Sequence, residues 1–461
     1  MHASGETSGG HESWSTRFGF LMASVGFAIG LGNIWKFPYL TGENGGGAFV
    51  VIYLICAFSI GVPILMSEVL IGRRGRMSAN ESMRVVAVQD GRNPNWHWLG
   101  AMTMLTAFVI LVTYSVVAGW VLEYLFKAGA NQFAGIDQSD SVNMLANVLA
   151  NPLDMMFWTG ISLGLTAFIV AAGVQKGIER TVTILMPLLF TLLVFLVIYG
   201  SVVGDFGAAV DFLFVPDFSE VSAKVVLVAI GQAFFSVGVA MAGMMTYGAY
   251  LPKQVSIGRS IVIIVLADSF VAMLAGLAIF PLVFQHHLDP SGGPGLIFET
   301  LPLAFADMPG GYLFSIMFFL LLSVAAITSM VGLLEPLVSW AEENKNFSRR
   351  KGGLILGSGI WLLSFLSIFS YNSIAGFFPL NAVPFFGGRN INDIVSIMTD
   401  QFLLPIGGLL IAVFAGWIMS KESTRDELAL ESETLFSVWH FLIRFIVPPA
   451  LLMVFILGFG G

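Results

Sequence analysis

The chain alternates long apolar runs with short polar connections. Eleven runs are long enough to cross a bilayer, near 18–41, 48–72, 98–126, 153–172, 181–203, 223–249, 256–284, 311–341, 353–370, 393–419 and 435–458. The pattern predicts an all-α polytopic membrane protein with eleven transmembrane helices. Two runs break their own periodicity. Between Ser24 and Gly47, Gly26, Gly30 and Gly32 fall within seven residues and are followed by Asn33, Lys36 and Pro38. Glycine costs about 1 kcal/mol against alanine inside a helix. It also lets carbonyls approach a ligand closely. In lipid, an interrupted helix is tolerated only where its freed polar groups face protein, water or an ion. This predicts an unwound helix that builds a binding site; a packing face of small residues is the alternative. The sixth run is interrupted in the same way, at Gly231-Gln-Ala-Phe-Phe-Ser236-Val-Gly238-Val-Ala-Met241-Ala-Gly243. Matching interruptions in two halves mark the midplane site of inverted-repeat transporters. The expected organisation is a cytoplasmic segment 1–17, a first repeat 18–203 (helices 1–5), a second repeat 223–419 (helices 6–10), and helix 11 with the C-terminus at 435–461.

Charge sets the orientation. Only 11% of residues are charged, and mean hydropathy is +0.85, far from soluble composition. Arg17, the group Arg73, Arg74, Arg76, Arg84 and Arg92, then Lys176 and Arg180, fall on alternate connections. So do Lys253 and Arg259, then Lys345, Arg349, Arg350 and Lys351, then Lys421 and Arg425. Residues 128–152 and 285–310 carry no Lys or Arg, and 371–392 carry only Arg389. The N-terminus is therefore expected in the cytoplasm and, with an odd number of spans, the C-terminus outside. The first 17 residues lack the apolar stretch of a cleavable signal. Cys56, the single cysteine, excludes a disulfide within the chain. Six scattered histidines give no metal-ligand spacing, and nothing supports an intramembrane enzyme. The outer connection 285–310, with Pro-Ser-Gly-Gly-Pro-Gly before apolar Leu296–Phe305, reads as a re-entrant or capping hairpin, or as a passive loop.

Six motifs, in order from span 1 to the last long outer loop, resemble those of the neurotransmitter:sodium symporters, especially the bacterial amino-acid transporters. They are Trp14-Ser-Thr-Arg-Phe-Gly, Gly30-Leu-Gly-Asn-Ile-Trp-Lys-Phe-Pro38, Glu43-Asn-Gly-Gly-Gly-Ala-Phe49, Lys176-Gly-Ile-Glu-Arg180, Gly231-Gln-Ala-Phe-Phe-Ser236 and Gly295-Leu-Ile-Phe-Glu-Thr-Leu-Pro302. The resemblance implies a 5+5 inverted-repeat fold with discontinuous helices 1 and 6. It also implies a sodium-coupled symporter of a neutral, hydrophobic amino acid working by alternating access; a non-transporting amino-acid sensor is the alternative. The partners it implies are that small-molecule substrate and membrane lipid, without nucleic acid.

Two sodium ions are implied. The first site would use the Ala28 carbonyl, Asn33, Ser236 and Asp268. Asparagine is common in the family where Asp268 stands. A mid-span carboxylate costs several kcal/mol unless paired, and a cation supplies the pair. With its own negative charge in place, the site is expected to need no chloride. A protonated, helix-packing aspartate is the alternative. The second site would use the carbonyls of Gly26, Ile29 and Ala325 and the hydroxyls of Thr328 and Ser329. For those hydroxyls the plain alternative is back-bonding to their own helix. The substrate carboxylate would meet the amides of Leu31 and Gly32 and the Tyr114 hydroxyl; its ammonium would meet carbonyls near Ala28, Phe234 and Ser236. Phe27, Ile110, Tyr114, Phe235, Gly238, Met241, Ser329 and Leu333 would line the side-chain pocket.

Gates are implied at both ends. Outside, Tyr114 and Phe235 would close over the substrate, with Lys36, Gln232 and an acid from span 10 near Asp393 or Ser396. Inside, Trp14 would plug the exit, and His11 or Arg17 would face Glu343. Glu68 in span 2 would support the broken helices. Gly177 and Pro187 would allow span 5 to unwind or simply kink it.

Overall fold

The computed structural model describes residues 12–290, 293 and 295–458, so the expected role of His11 lies outside the described residues. Every regular element among them is helical. Among the described residues, nine helices are long and apolar enough to span a membrane. They are span 2 (Gly47–Gly75), span 3 (Pro94–Gly129), span 4 (Pro152–Ala171), span 5 (Val174–Val203), span 7 (Ile257–Gln285), span 8 (Gly311–Lys345), span 9 (Arg349–Ser370), span 10 (Ile391–Ile418) and span 11 (Glu433–Ile456). Span 1 is a broken pair, Arg17–Ala28 and Gly32–Glu43, bent by 48°. Span 6 is also in two pieces, Ala223–Ser236 and Gly243–Ala249. All eleven expected segments are accounted for.

Both breaks fall where the glycines predicted them. In span 1 the chain turns extended at Ile29 (φ −75°, ψ 96°). A Cβ on Gly30 would meet Ser329 Oγ at 2.5 Å and Tyr114 Oη at 2.8 Å, so only glycine fits there. In span 6 the connection 237–242 contains three left-handed residues, Gly238, Ala240 and Ala242 (φ 71°, 61° and 59°). Alanine in that region costs about 1–2 kcal/mol. A fully buried carboxylate offsets this: Glu68 Oε1 accepts the Ala240 N–H at 2.7 Å. Glu68 is thus the prop for the break that its position in span 2 suggested.

Spans 2 and 6 meet backbone to backbone. A Cβ on Gly72 would lie 1.8 Å from the Met245 carbonyl oxygen, and one on Gly248 would lie 2.5 Å from that of Val69. Span 8 is the most enclosed long helix, with 83% of its central window buried, against 28% for span 11. The site therefore has span 8 as one wall and lipid-facing helices well behind it.

The described part of the connection between spans 7 and 8 forms a cap. Its helical part, Leu296–Asp307, buries Phe298 against Trp35, Trp120 and Tyr124 at ring distances of 5.8, 6.0 and 5.0 Å. Tyr124 Oη donates to the Phe298 carbonyl at 3.0 Å. Of the two readings of span 5, unwound or kinked, this structure has the helical one. The span begins with a wide turn, Val174–Glu179, and then runs helically through Pro187 to Val203. Gly177 serves close packing there, since a Cβ would lie 2.0 Å from the Ile169 carbonyl oxygen.

Candidate functional site

The two breaks face each other, and a polar cluster closes the gap. Asp268 of span 7 is fully buried. Its Oδ1 accepts from Asn33 Nδ2 at 2.8 Å, and its Oδ2 from Ser236 Oγ at 2.8 Å. Asn33 Nδ2 also reaches the Asp268 carbonyl at 3.1 Å and Ser236 Oγ at 3.0 Å. Asn33, Ser236 and Asp268 thus lie together, from spans 1, 6 and 7. Sequence reasoning missed a fourth member. Tyr53 of span 2 donates to Asp268 Oδ2 at 3.2 Å and lies 3.2 Å from Ser236 Oγ. A buried tyrosine needs a partner for its hydroxyl, and its place in an apolar run was the available signal. This set of oxygens suits a hard cation.

A second oxygen cluster lies against span 8. Ser329 Oγ is 3.4, 3.2 and 3.5 Å from the carbonyl oxygens of Gly26, Phe27 and Ile29. The position of a Cβ on Gly26 is 3.3 Å from Thr328 Cβ. Thr328 Oγ1 donates back to its own helix, to Val324 at 2.9 Å and Ala325 at 3.1 Å. Back-bonding uses the hydroxyl proton and leaves oxygen lone pairs as acceptors. Met186 of span 5 covers the cluster, its sulfur 3.0 Å from the same Gly26 position.

Between the clusters lies a cavity of about 30 Å³, lined by Phe27, Ala28, Ile110, Tyr114, Phe235, Gly238, Met241, Ser329 and Leu333 with the backbone of Gly30 and Gly32. The lining carries no charged side chain. Tyr114 Oη accepts the freed Leu31 N–H at 3.0 Å, which places a hydroxyl and a helix-end amide at one end of the cavity. Phe234 is turned away from it. Its ring sits against the position of a Cβ on Gly408, at 2.5 Å, and its carbonyl accepts the Val239 N–H at 3.4 Å.

The gates correct the expected pairings. Lys36 pairs with Asp400 at 3.1 Å, neither with Asp393 nor with Ser396, and its ammonium lies 4.4 Å from the centre of the Phe235 ring. Asp393 is occupied in a capping box with Asn390. Gln232 Nε2 donates to the Gly32 carbonyl at 2.8 Å and ties span 6 to span 1. At the inner end Trp14 is only 3% exposed. Its indole N–H donates to the Tyr247 carbonyl at 3.0 Å, and its ring meets Tyr247 edge-on at 5.2 Å. Glu343 does not meet this segment. Both its oxygens accept the Ser78 N–H at 2.8 Å, capping the helix Ala79–Gln89, and Arg17 is exposed. The carboxylate that holds the inner segment is Glu179, which accepts from the Ser15 amide and hydroxyl at 2.9 and 2.6 Å and from the Thr16 hydroxyl at 2.8 Å.

Lys36→Gln is expected to weaken substrate retention from the outer side only a few-fold, because a pair this exposed contributes about 0.2–1 kcal/mol. Dissociation of a labelled substrate on dilution checks this.

Two interrupted helices that meet around oxygen clusters and an uncharged cavity, within a bundle of long apolar helices, are the architecture of a multi-pass membrane transporter. Comparison with known proteins agrees. The sodium:neurotransmitter symporter family matches residues 11–143 and 139–459, and the chain belongs to that family. It is therefore a transporter and not an enzyme. It is 36% identical to an uncharacterized sodium-dependent transporter, YhdH, of Bacillus subtilis, over 96% of both chains. It is 30% identical to an uncharacterized sodium-dependent transporter of Methanocaldococcus jannaschii, over 96% of this chain and 89% of the relative. Its fold matches the crystal structure of MhsT in complex with L-phenylalanine at a TM-score of 0.87 and 39% identity, over 97% of this chain and 99% of that one.

Proposed function

We propose that this transporter is a sodium-coupled, chloride-independent symporter of a neutral, hydrophobic amino acid. The observation that carries the reading is the buried Asp268–Asn33–Ser236 cluster beside an uncharged cavity between the two helix breaks. A sodium ion there meets the full negative charge of Asp268 with the Ser236 and Tyr53 hydroxyls, and the Asn33 oxygen joins them by giving up the Gly30 N–H that it accepts at 3.2 Å. The second ion takes the carbonyls of Gly26, Ile29 and Ala325 with the Thr328 and Ser329 hydroxyls. A zwitterion fits between them. Its carboxylate meets the first sodium, Tyr114 and the amides of Leu31 and Gly32, and its side chain meets the apolar wall. The ligand in the MhsT crystal structure, L-phenylalanine, supports the same class.

Phe235 lines the cavity and the Lys36 ammonium lies over its ring, so substrate is admitted by outward movement of Phe235 and the Lys36–Asp400 pair. After reclosure, release of the Glu179 contacts frees Trp14 and lets sodium and substrate leave inward. Spans 1–5 and 6–10 act as the two repeats, with the N-terminus cytoplasmic and the C-terminus outside. Each charge moving inward gains about 2.3 kcal/mol per 100 mV, so two ions supply roughly 4–5 kcal/mol. At about 1.4 kcal/mol per decade, that sustains more than a thousandfold accumulation.

The test is uptake into proteoliposomes across an amino-acid panel, with sodium or chloride replaced in turn. Expected are strongest uptake of bulky apolar side chains, loss without sodium, and none without a transportable amino acid. Full uptake without sodium contradicts symport, and loss on chloride removal contradicts the role given to Asp268.

A further inference from the structure

Phe27 forms one wall of the cavity, and its ring is seated among three glycines from two other spans. A Cβ on Gly332 of span 8 would lie 2.1 Å from Phe27 Cδ2 and 2.6 Å from Cγ. One on Gly243, at the start of the second piece of span 6, would lie 2.5 Å from Cζ. One on Gly238, in the break itself, would lie 2.7 Å from Cε1. Real Cβ atoms essentially never approach another heavy atom closer than 3.0 Å. The ring of Tyr247 closes a further side, 6.1 Å away and nearly perpendicular. Phe27 is 4% exposed, and the side left to it is the cavity.

Gly332 sits in the interior of a continuous helix, where glycine is about 1 kcal/mol worse than alanine. It is not part of the cavity wall. Its place is explained by the ring alone, because the nearest atoms to its missing side chain are all Phe27's. The geometry points to Gly332 as a positioning residue for substrate size: by leaving room for the Phe27 ring, it sets the largest side chain that the pocket accepts. This rests on the amino-acid reading of the cavity given above. A methyl group at 332 drives the ring away from span 8. Gly238 and Gly243 block retreat along span 6, and Tyr247 blocks it behind. The ring therefore advances toward Met241 and Leu333 and takes up space in the cavity that they line with it.

The experiment compares initial uptake rates of alanine, leucine and phenylalanine by wild type, Gly332→Ala, Phe27→Leu and the double variant in proteoliposomes. Gly332→Ala is expected to shift the alanine-to-phenylalanine ratio toward alanine by about tenfold or more, the scale set by one methylene in an apolar pocket. Phe27→Leu is expected to shift it the other way, and adding Gly332→Ala to Phe27→Leu is expected to change nothing further. An unmoved ratio in Gly332→Ala, or an equal fall for all three substrates, overturns the proposal. Should Gly332→Ala not be recovered folded, the double variant decides: recovery there supports the ring as the obstacle, and failure there overturns it. No sodium-dependent uptake of any amino acid by wild type sinks the functional reading, and this proposal with it. Wild-type uptake with an unmoved variant ratio sinks this proposal alone.

Discussion

Asp268→Asn is expected to lower the apparent sodium affinity of transport by 100-fold or more. The carboxylate is fully buried and held by Asn33, Ser236 and Tyr53. A cation beside it is neutralised without any diffusible anion. The amide keeps the shape and one acceptor oxygen but removes the charge. Losing one partner of a buried ion pair costs about 3–5 kcal/mol, which corresponds to roughly two to four decades in affinity. The Tyr53 and Ser236 hydroxyls, released from the carboxylate, become free to donate to a small anion. High chloride is therefore expected to restore part of the lost sodium affinity in the variant and to leave wild type unchanged. Sodium titrations of uptake at low and high chloride measure both effects. An unchanged sodium dependence in the variant contradicts the ligand role of Asp268.

Gly72→Ala is expected to be the most damaging single methyl group in the fold. The added carbon would lie 1.8 Å from the Met245 carbonyl oxygen and 2.9 Å from the Ala249 amide nitrogen, both main-chain atoms on the second piece of span 6. Backbone cannot rotate aside as a side chain does, so the two helices must separate. Close small-residue contact is a main source of helix association in lipid. Overpacking costs about 1–3 kcal/mol and occasionally more, and this clash is at the severe end. Gly164→Ala in span 4 is the control: nothing lies within 4 Å of its added carbon, so helix propensity alone makes it neutral or slightly stabilising. Thermal unfolding in detergent, followed by size-exclusion chromatography, separates the two. Equal melting of both variants contradicts the backbone-to-backbone crossing.

The spans and both breaks were legible because bilayer thickness and glycine density leave direct marks on a sequence. Asn33 and Asp268 stood out as polar residues within apolar runs, whereas their grouping with Ser236 and the supporting role of Glu68 came from the family resemblance. Tyr53 was harder, since a tyrosine within an apolar run also serves as ordinary packing. The gates were read less well. Asp393, Ser396 and Asp400 are spaced three and four residues apart and so share one helical face; which of them meets Lys36 is a matter of height along span 10, and the ammonium lies level with Asp400. Asp393, meanwhile, is engaged at the helix start. At the inner end several carboxylates compete for few partners. Glu179 takes the Ser15 and Thr16 groups and Glu343 takes Ser78, a choice made by how the helices are rotated and not by charge spacing. Pro187 was compatible with an unwound or a kinked span 5, and the helix runs through it.

The account stands or falls on whether ion and solute cross together. Radioactive sodium influx and labelled amino-acid influx should be measured in parallel in the same proteoliposomes, held at a fixed inside-negative potential. The account predicts that a transported amino acid stimulates sodium influx, at about two ions per substrate molecule, and that Asp268→Asn reduces both at low sodium. Amino-acid influx that leaves sodium influx unchanged would contradict it.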